Sequence, residues 1–165
     1  MIITITGFPG TQTKEIGKML GFEIGIKFVS GEEIMKKLEI QENISEEMNE
    51  EFSQKLKQLI QAESKTGIIT DHPLSPWILH EAEVKIFLNS LEKVRAKRIV
   101  EKEKLPISEA MQKIQEEKKK NEQVYLNNFG VSVYDFQAFD LTVNIDKLSN
   151  ENVVGMIKNF IQKMS

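Results

Sequence analysis

The first twenty residues, MIITITGFPGTQTKEIGKML, constrain this chain more than any other stretch. Ile2, Ile3 and Ile5 form a short β-branched run, Gly7, Pro9 and Gly10 break it, and Ile16, Met19 and Leu20 resume at helical spacing. The spacing predicts a strand, a glycine turn and a helix. Backbone N–H groups gathered in such a turn, ahead of a helix N-terminus, make a cradle for a phosphate.

Against the phosphate-loop pattern G-x-x-x-x-G-K-[ST], the chain reads Gly7, Phe8, Pro9, Gly10, Thr11, Gln12, Thr13, Lys14. The first glycine matches. Gln12 stands at the second glycine, Thr13 at the lysine and Lys14 at the hydroxyl position. One step along a helix turns a side chain by about 100°, so Lys14 is expected to point away from where a phosphate-clamping lysine points. Gln12 also brings a Cβ to a place where backbone must approach phosphates closely. Two readings follow: a phosphate grip formed by Gly7, Gly10, Thr11, Gln12, Thr13 and Lys14, or an ordinary strand, turn and helix with no ligand.

The rest of the chain alternates in the same way. Strands are expected over Phe22–Val29, Gly67–Thr70, Val84–Leu88 and Leu141–Ile145. Ser30 is placed to cap a helix over Glu32–Leu38, with Glu33 at capping-box spacing. Ser45, followed by Glu46 and Glu47, should open a second helix, whose stripe is Met48, Phe52, Leu56, Leu59 and Ile60 and which ends near Ser64. Trp77 is expected to pack against the sheet and His80 to lie at the surface. Further helices are expected over Leu91–Glu103, from Ser108 to a C-cap at Gly130, and from Ser149 onward. The charged run Glu116–Lys120 reads as solvated. Strands separated by helices make a parallel α/β sheet. Asp71 ends a strand of that sheet at the crevice where open α/β sheets take ligands, and it could hold a magnesium-bound water. His72, next to Pro73, reads as a turn residue.

At 165 residues and 40% hydrophobic content, one domain over 1–165 can bury a full core. A net charge of −3 and a pI near 5.6 argue against a nucleic-acid surface. No apolar run is long enough to cross a membrane, and no leader-like segment precedes the first strand, so a cytoplasmic monomer is expected. The absence of cysteine excludes disulfides and thiolate metal sites. Arg95 and Arg98 are the only arginines, so the chain has few bidentate phosphate clamps.

The segments ITITGFPG, GFEIGIKFVSGEEI, the acid-ended strand followed by LSPWIL, VKIFLNSLEKVRAKRI, NNFGVSVYDF and FDLTVNIDKLS, in this order, resemble the nucleoside-monophosphate kinases, in particular the archaeal-type cytidylate kinases. The resemblance implies a P-loop NTPase-like three-layer fold, a five-stranded parallel sheet with helices on both faces. It also implies a helical monophosphate-binding arm over about 30–64 and a lid over about 95–128. It implies transfer of the ATP γ-phosphoryl to CMP or dCMP with magnesium, and catalytic roles for the positions held by Lys14, Asp71 and Arg98. Lys36, Arg95 and Arg98 fall on nucleotide- and phosphate-binding positions, with lysine replacing arginine at Lys36. Other arginine positions fall on Lys102, near Pro73, and near Glu117 and Val124.

An arginine on a transferring phosphoryl group is worth about 10³ to 10⁵ in rate. A chain without the loop lysine and several such arginines should therefore retain little transfer activity. The favoured expectation is a family member that kept the fold, with nucleoside monophosphate and ATP as possible ligands and a role in binding or regulation. A divergent active kinase using lysines, with ATP and magnesium, is the alternative. An interaction module with an unspecified protein partner and no cofactor is the third.

Overall fold

A computed structural model describes residues 1–40, 50–63 and 65–164. Strand β1 (Ile2–Gly7) leads through the glycine turn into helix α1 (Thr13–Ile24), then β2 (Lys27–Val29), α2 (Gly31–Lys37) and α3 (Glu50–Glu63). Strand β3 (Ile68–Thr70), the short α4 (Ser75–Ile78) and β4 (Val84–Asn89) follow. Helices α5 (Glu92–Glu103) and α6 (Ile107–Phe129), a 3₁₀ turn (Phe136–Ala138), β5 (Leu141–Asn144) and α7 (Asn150–Met164) complete the described chain. The strands form one sheet in the order β2-β3-β1-β4-β5, and every neighbouring pair is parallel. Helices cover both faces, as a parallel sheet requires.

The side-chain alternation of β1 separates the two faces. Ile3 and Ile5 join Ile69, Ile86, Leu88 and Val143 beneath α1 and α7, where Ile16, Leu20, Val153 and Ile157 are buried. Ile2 and Ile68 point the other way, against Ile34, Phe52, Leu56, Ile60 and the distal end of α6 at Tyr125. A smaller cluster, Ala96, Ile99, Ala110 and Ile114, locks α5 to α6. Trp77 packs at the edge of the second cluster, and His80 is exposed.

Of the strand expected over Phe22–Val29, the first residues, Phe22–Ile24, are instead the end of α1. The alternation of Phe22, Ile24, Ile26 and Phe28 mimics a strand, but Ile16 and Leu20 carry the helical register on. Phe22 is left 89% exposed. Gly25, at φ 70°, stops the helix, and only Lys27–Val29 pairs with β3. Helix α6 begins one residue earlier than expected, at Ile107 after Pro106, whose fixed φ suits a helix entry. The Ser30 cap forms, with Oγ accepting the Glu33 N–H at 3.1 Å, and Gly130 closes α6 at φ 65°. Ser45, Met48 and Ser64 lie outside the described residues.

Ile157 is sealed beneath the sheet, while its neighbour Met156 faces solvent. Ile157→Ala should lower the urea-unfolding free energy by about 2–5 kcal/mol, and Met156→Ala by less than about 0.5 kcal/mol.

Candidate functional site

The carboxyl ends of β1, β2 and β3 open into a cleft of about 710 Å³. Its floor is the loop Gly7–Lys14, one wall is α2 with Asp71, His72 and Pro73, and the other is built by α5 and α6.

The loop shape begins at Gly7, where a Cβ would lie 2.6 Å from the Leu88 carbonyl oxygen and would also strike Thr11. Gly10 follows at φ +86°. Thr11 then closes the turn on itself, its hydroxyl donating to Phe8 O at 2.7 Å and its N–H to the same oxygen at 3.2 Å. Gln12 adopts φ 58°, ψ 33° and makes no side-chain cap to α1. The backbone thus keeps the left-handed geometry that glycine serves in the phosphate-loop pattern, although a glutamine occupies the position. That conformation costs an L-residue about 1–2 kcal/mol.

The cations expected to face a phosphate have other partners. Lys14 Nζ reaches across to Glu32 of α2, and this bond is the main cause of its raised pKa. Thr13 Oγ1 donates to Asp71 Oδ2 at a long 3.4 Å. Asp71 Oδ1 accepts the Gly31 N–H at 2.6 Å, so this carboxylate ties the end of β3 to the start of α2; burial raises its pKa. Its Oδ2, held among the described residues by the long Thr13 contact, suits a metal-bound water. Among the described residues no group of three or more acidic or imidazole side chains could hold a metal by itself.

Arg95 is 4% exposed and does not line the cleft. Its Nη1 donates to Pro9 O at 2.8 Å, its Nε to Ser90 O at 3.1 Å, and the guanidinium lies 5.1 Å from the Phe8 ring centroid. It clasps the loop backbone, because a buried guanidinium must be satisfied by nearby carbonyls and a ring face. Arg98 lines the cleft while donating to Ser90 Oγ at 3.2 Å and Ile145 O at 3.1 Å. Lys36 is exposed on α2 and does not line the cleft, since the turn that buries Ile34 and Met35 turns it outward. Lys102 pairs with Glu15 at 3.0 Å, and Lys113 with Glu103.

The charged run Glu116–Lys120 is exposed, apart from the half-buried Lys118, and one side of it faces the cleft. Lys113, Glu117, Asn121 and Tyr125, four residues apart, form a row along the cleft, joined by Lys120. Desolvation by the cleft walls raises the Glu117 pKa. Lys118 lies over the Phe8 ring at 5.6 Å. Asn121 and Tyr125 carry no motif; the signal available in the sequence was this four-residue recurrence of polar side chains on a helix. His72 is 2% exposed, its Nδ1 accepts the Leu74 N–H at 3.2 Å, and burial holds its pKa down at about 4.

A parallel sheet with a glycine loop leading from its central strand into a helix defines a P-loop NTPase-like α/β protein. Solved structures agree in fold: an uncharacterized protein from Eubacterium ventriosum superposes with a TM-score of 0.80 at 16% identity, covering 99% of this chain and 98% of that one. Shikimate kinase from Bacteroides thetaiotaomicron gives 0.64 at 16% identity, with 98% of each chain covered. The cytidylate kinase-like family matches residues 74–147. The cytidylate kinase of Pyrococcus horikoshii is 26% identical, over 99% of this chain and 90% of its own length. That of Sulfurisphaera tokodaii is 27% identical, over 99% and 97%. Over nearly its whole length the chain is thus similar in sequence to cytidylate kinases.

Two outcomes follow from the site itself. Gln12→Gly relieves the left-handed strain and should raise the unfolding free energy by about 1 kcal/mol in urea titrations. His72, neutral and sealed when folded, takes up a proton near pH 6.5 only when unfolded, so the unfolded state binds more protons between pH 6.5 and about 4. Stability should therefore fall as pH drops through that window, by roughly 3 kcal/mol in total. The difference between wild type and His72→Asn in urea titrations from pH 7 to 4 isolates this contribution from the opposing one of Asp71.

Proposed function

We propose that the protein binds mononucleotides in this cleft and transfers phosphoryl groups far more slowly than an efficient nucleoside-monophosphate kinase. In this reading, residues 30–64 form the acceptor arm, residues 95–128 form the lid, and the loop N–H groups from Gln12 onward receive a phosphate. The observation that carries it is the pairing of the cleft cations with the protein's own acceptors: Lys14 with Glu32, Lys102 with Glu15, Lys113 with Glu103, and Arg98 with Ile145 O.

Exposed ion pairs of this kind are worth about 0–1 kcal/mol each, so an incoming polyphosphate can exchange for the carboxylates. Binding survives that exchange. Catalysis suffers, because a donor removed from a preorganised site costs about 10² to 10³ in rate, and a lysine that must first leave a carboxylate is not preorganised. Magnesium, when bound with ATP, would neutralise phosphate charge, and Asp71 Oδ2 and Thr13 Oγ1 are the groups placed to hold its water shell. A second reading, a divergent working kinase, is favoured by one feature: Arg98, Lys102, Lys113 and Lys120 line the same cleft as the loop.

Millimolar ATP with magnesium should raise the melting temperature, since a ligand at 100 times its Kd adds about 2.7 kcal/mol. A coupled assay with ATP and CMP or dCMP should give a kcat at least about 10³ below the usual 1–100 s⁻¹ of kinases. Turnover within that usual range, lost in Lys14→Ala, would overturn the slow-transfer reading in favour of the second.

A further inference from the structure

A second groove, of about 440 Å³, runs along one free edge of the sheet. The edge strand is β2, hydrogen-bonded to β3 alone. Helix α1 lies close over it because two glycines face it: a Cβ on Gly17 would stand 2.4 Å from the Phe28 ring, and one on Gly21 would stand 2.5 Å from Ile26 O. Ile26 and Phe28 thus give the groove an apolar floor. The crossover helix α1 runs opposite to β2, so Lys14, Ser30 and Glu33 close one end of the groove. Phe22 stands at the other end, with Lys18 one helical turn before it.

Several groups on this edge are open to a partner. Phe22 is 89% exposed, a large aromatic ring standing beside an apolar hollow that it does not fill. Among the described residues Lys18 has no ion-pair partner. Glu33 has only a share of Lys37, which lies 3.2 Å from Glu33 and 2.8 Å from Glu63, so Lys37 stays paired when Glu33 turns away. The other charges of the edge are matched, Lys14 with Glu32 and Lys27 with Glu63. The patch therefore holds a knob and a hollow, a cation and an anion, and an open strand edge, which is itself a template for pairing. A two-fold interface presents the same surface from both sides and must be self-complementary in this way. A foreign peptide laid in the groove would cover the floor but leave the Phe22 ring outside it.

We infer that this edge receives a second copy of the chain, with the two β2 strands antiparallel about a two-fold axis and the two sheets joined into one. Antiparallel docking brings Phe22 of the partner subunit to the Lys14–Ser30 end of the groove, its ring on the lysine stem, and Lys18 of the partner subunit to Glu33. The symmetry repeats both contacts. Lys14 and Ser30 line the cleft as well as the groove, so each copy covers the outer side of its neighbour's loop lysine. The dimer departs from the monomer expected from the sequence and stands whatever the cleft binds.

Sedimentation equilibrium of the full chain, taken up to about 500 µM, should show the mass rising from 19.0 kDa toward twice that value. Phe22→Ser should raise the dimer Kd about tenfold or more, since an aromatic anchor is lost. Leu126→Ser, on α6 and outside the groove, should leave it within about twofold. Lys18→Glu and Glu33→Lys should each weaken association about tenfold, and the two together should return it to within about threefold of wild type, because the pair is reversed rather than removed. All four side chains are exposed, so the variants keep the fold, which circular dichroism checks. A 19.0 kDa species over the whole range would overturn the inference. So would a dimer indifferent to Phe22→Ser, or a charge swap whose two losses add.

Discussion

Strand β1 is hydrogen-bonded on both sides, to β3 and to β4, in parallel register, and the site depends on that double pairing. Parallel neighbours end at the same edge of a sheet, so the loop after Gly7, the Asp71–Pro73 turn after β3 and the Ser90 turn after β4 emerge together. Gly7 lies opposite Leu88 in the register, too close to its carbonyl for a side chain. The chain must turn there. Arg95 then secures the turn from the far side by holding Pro9 O and Ser90 O at once, so one buried guanidinium fixes the loop to the strand end beside it.

The fold was largely legible in the sequence because its signals are local. The β-branched runs marked the strands, Ser30 and Gly130 marked helix ends, and Asp71 marked the edge of the sheet. The exception at Phe22 has a physical reason: alternation of apolar residues is also what a helix end followed by a short strand looks like. Much of the site was not legible, because it depends on which surface charges meet. Nothing near Lys14 in sequence announces Glu32, and nothing near Arg95 announces the Pro9 carbonyl 86 residues away. The row from Lys113 to Tyr125 becomes a cleft wall only once α5 and α6 have packed through Ala96, Ile99, Ala110 and Ile114.

The electrostatics of the cleft separate binding from catalysis. A polyphosphate is attracted by the sum of nearby charge, and lysines shared with glutamates still contribute once the partners exchange. A transition state is stabilised by donors already aimed at charge that has yet to develop. Lys14, Lys102 and Lys113 are aimed at carboxylates on other elements, and Arg98 at a carbonyl. One arrangement therefore serves the first demand better than the second.

Gln12 shows which parts of this architecture belong to the scaffold. The left-handed turn persists there although its residue gains nothing from it, since the side chain caps no helix N–H. The shape must therefore be imposed from outside. Gly7 cannot move away from Leu88 O, Gly10 is set against Arg95, and Thr11 is bound back to Phe8. These contacts over-determine residue 12, and the sheet and α1 supply the stability that offsets its strain. The left-handed turn is consequently a property of how β1 joins α1. In the proposed reading, what the protein does with a phosphate is decided one layer out, by the carboxylates that share its lysines.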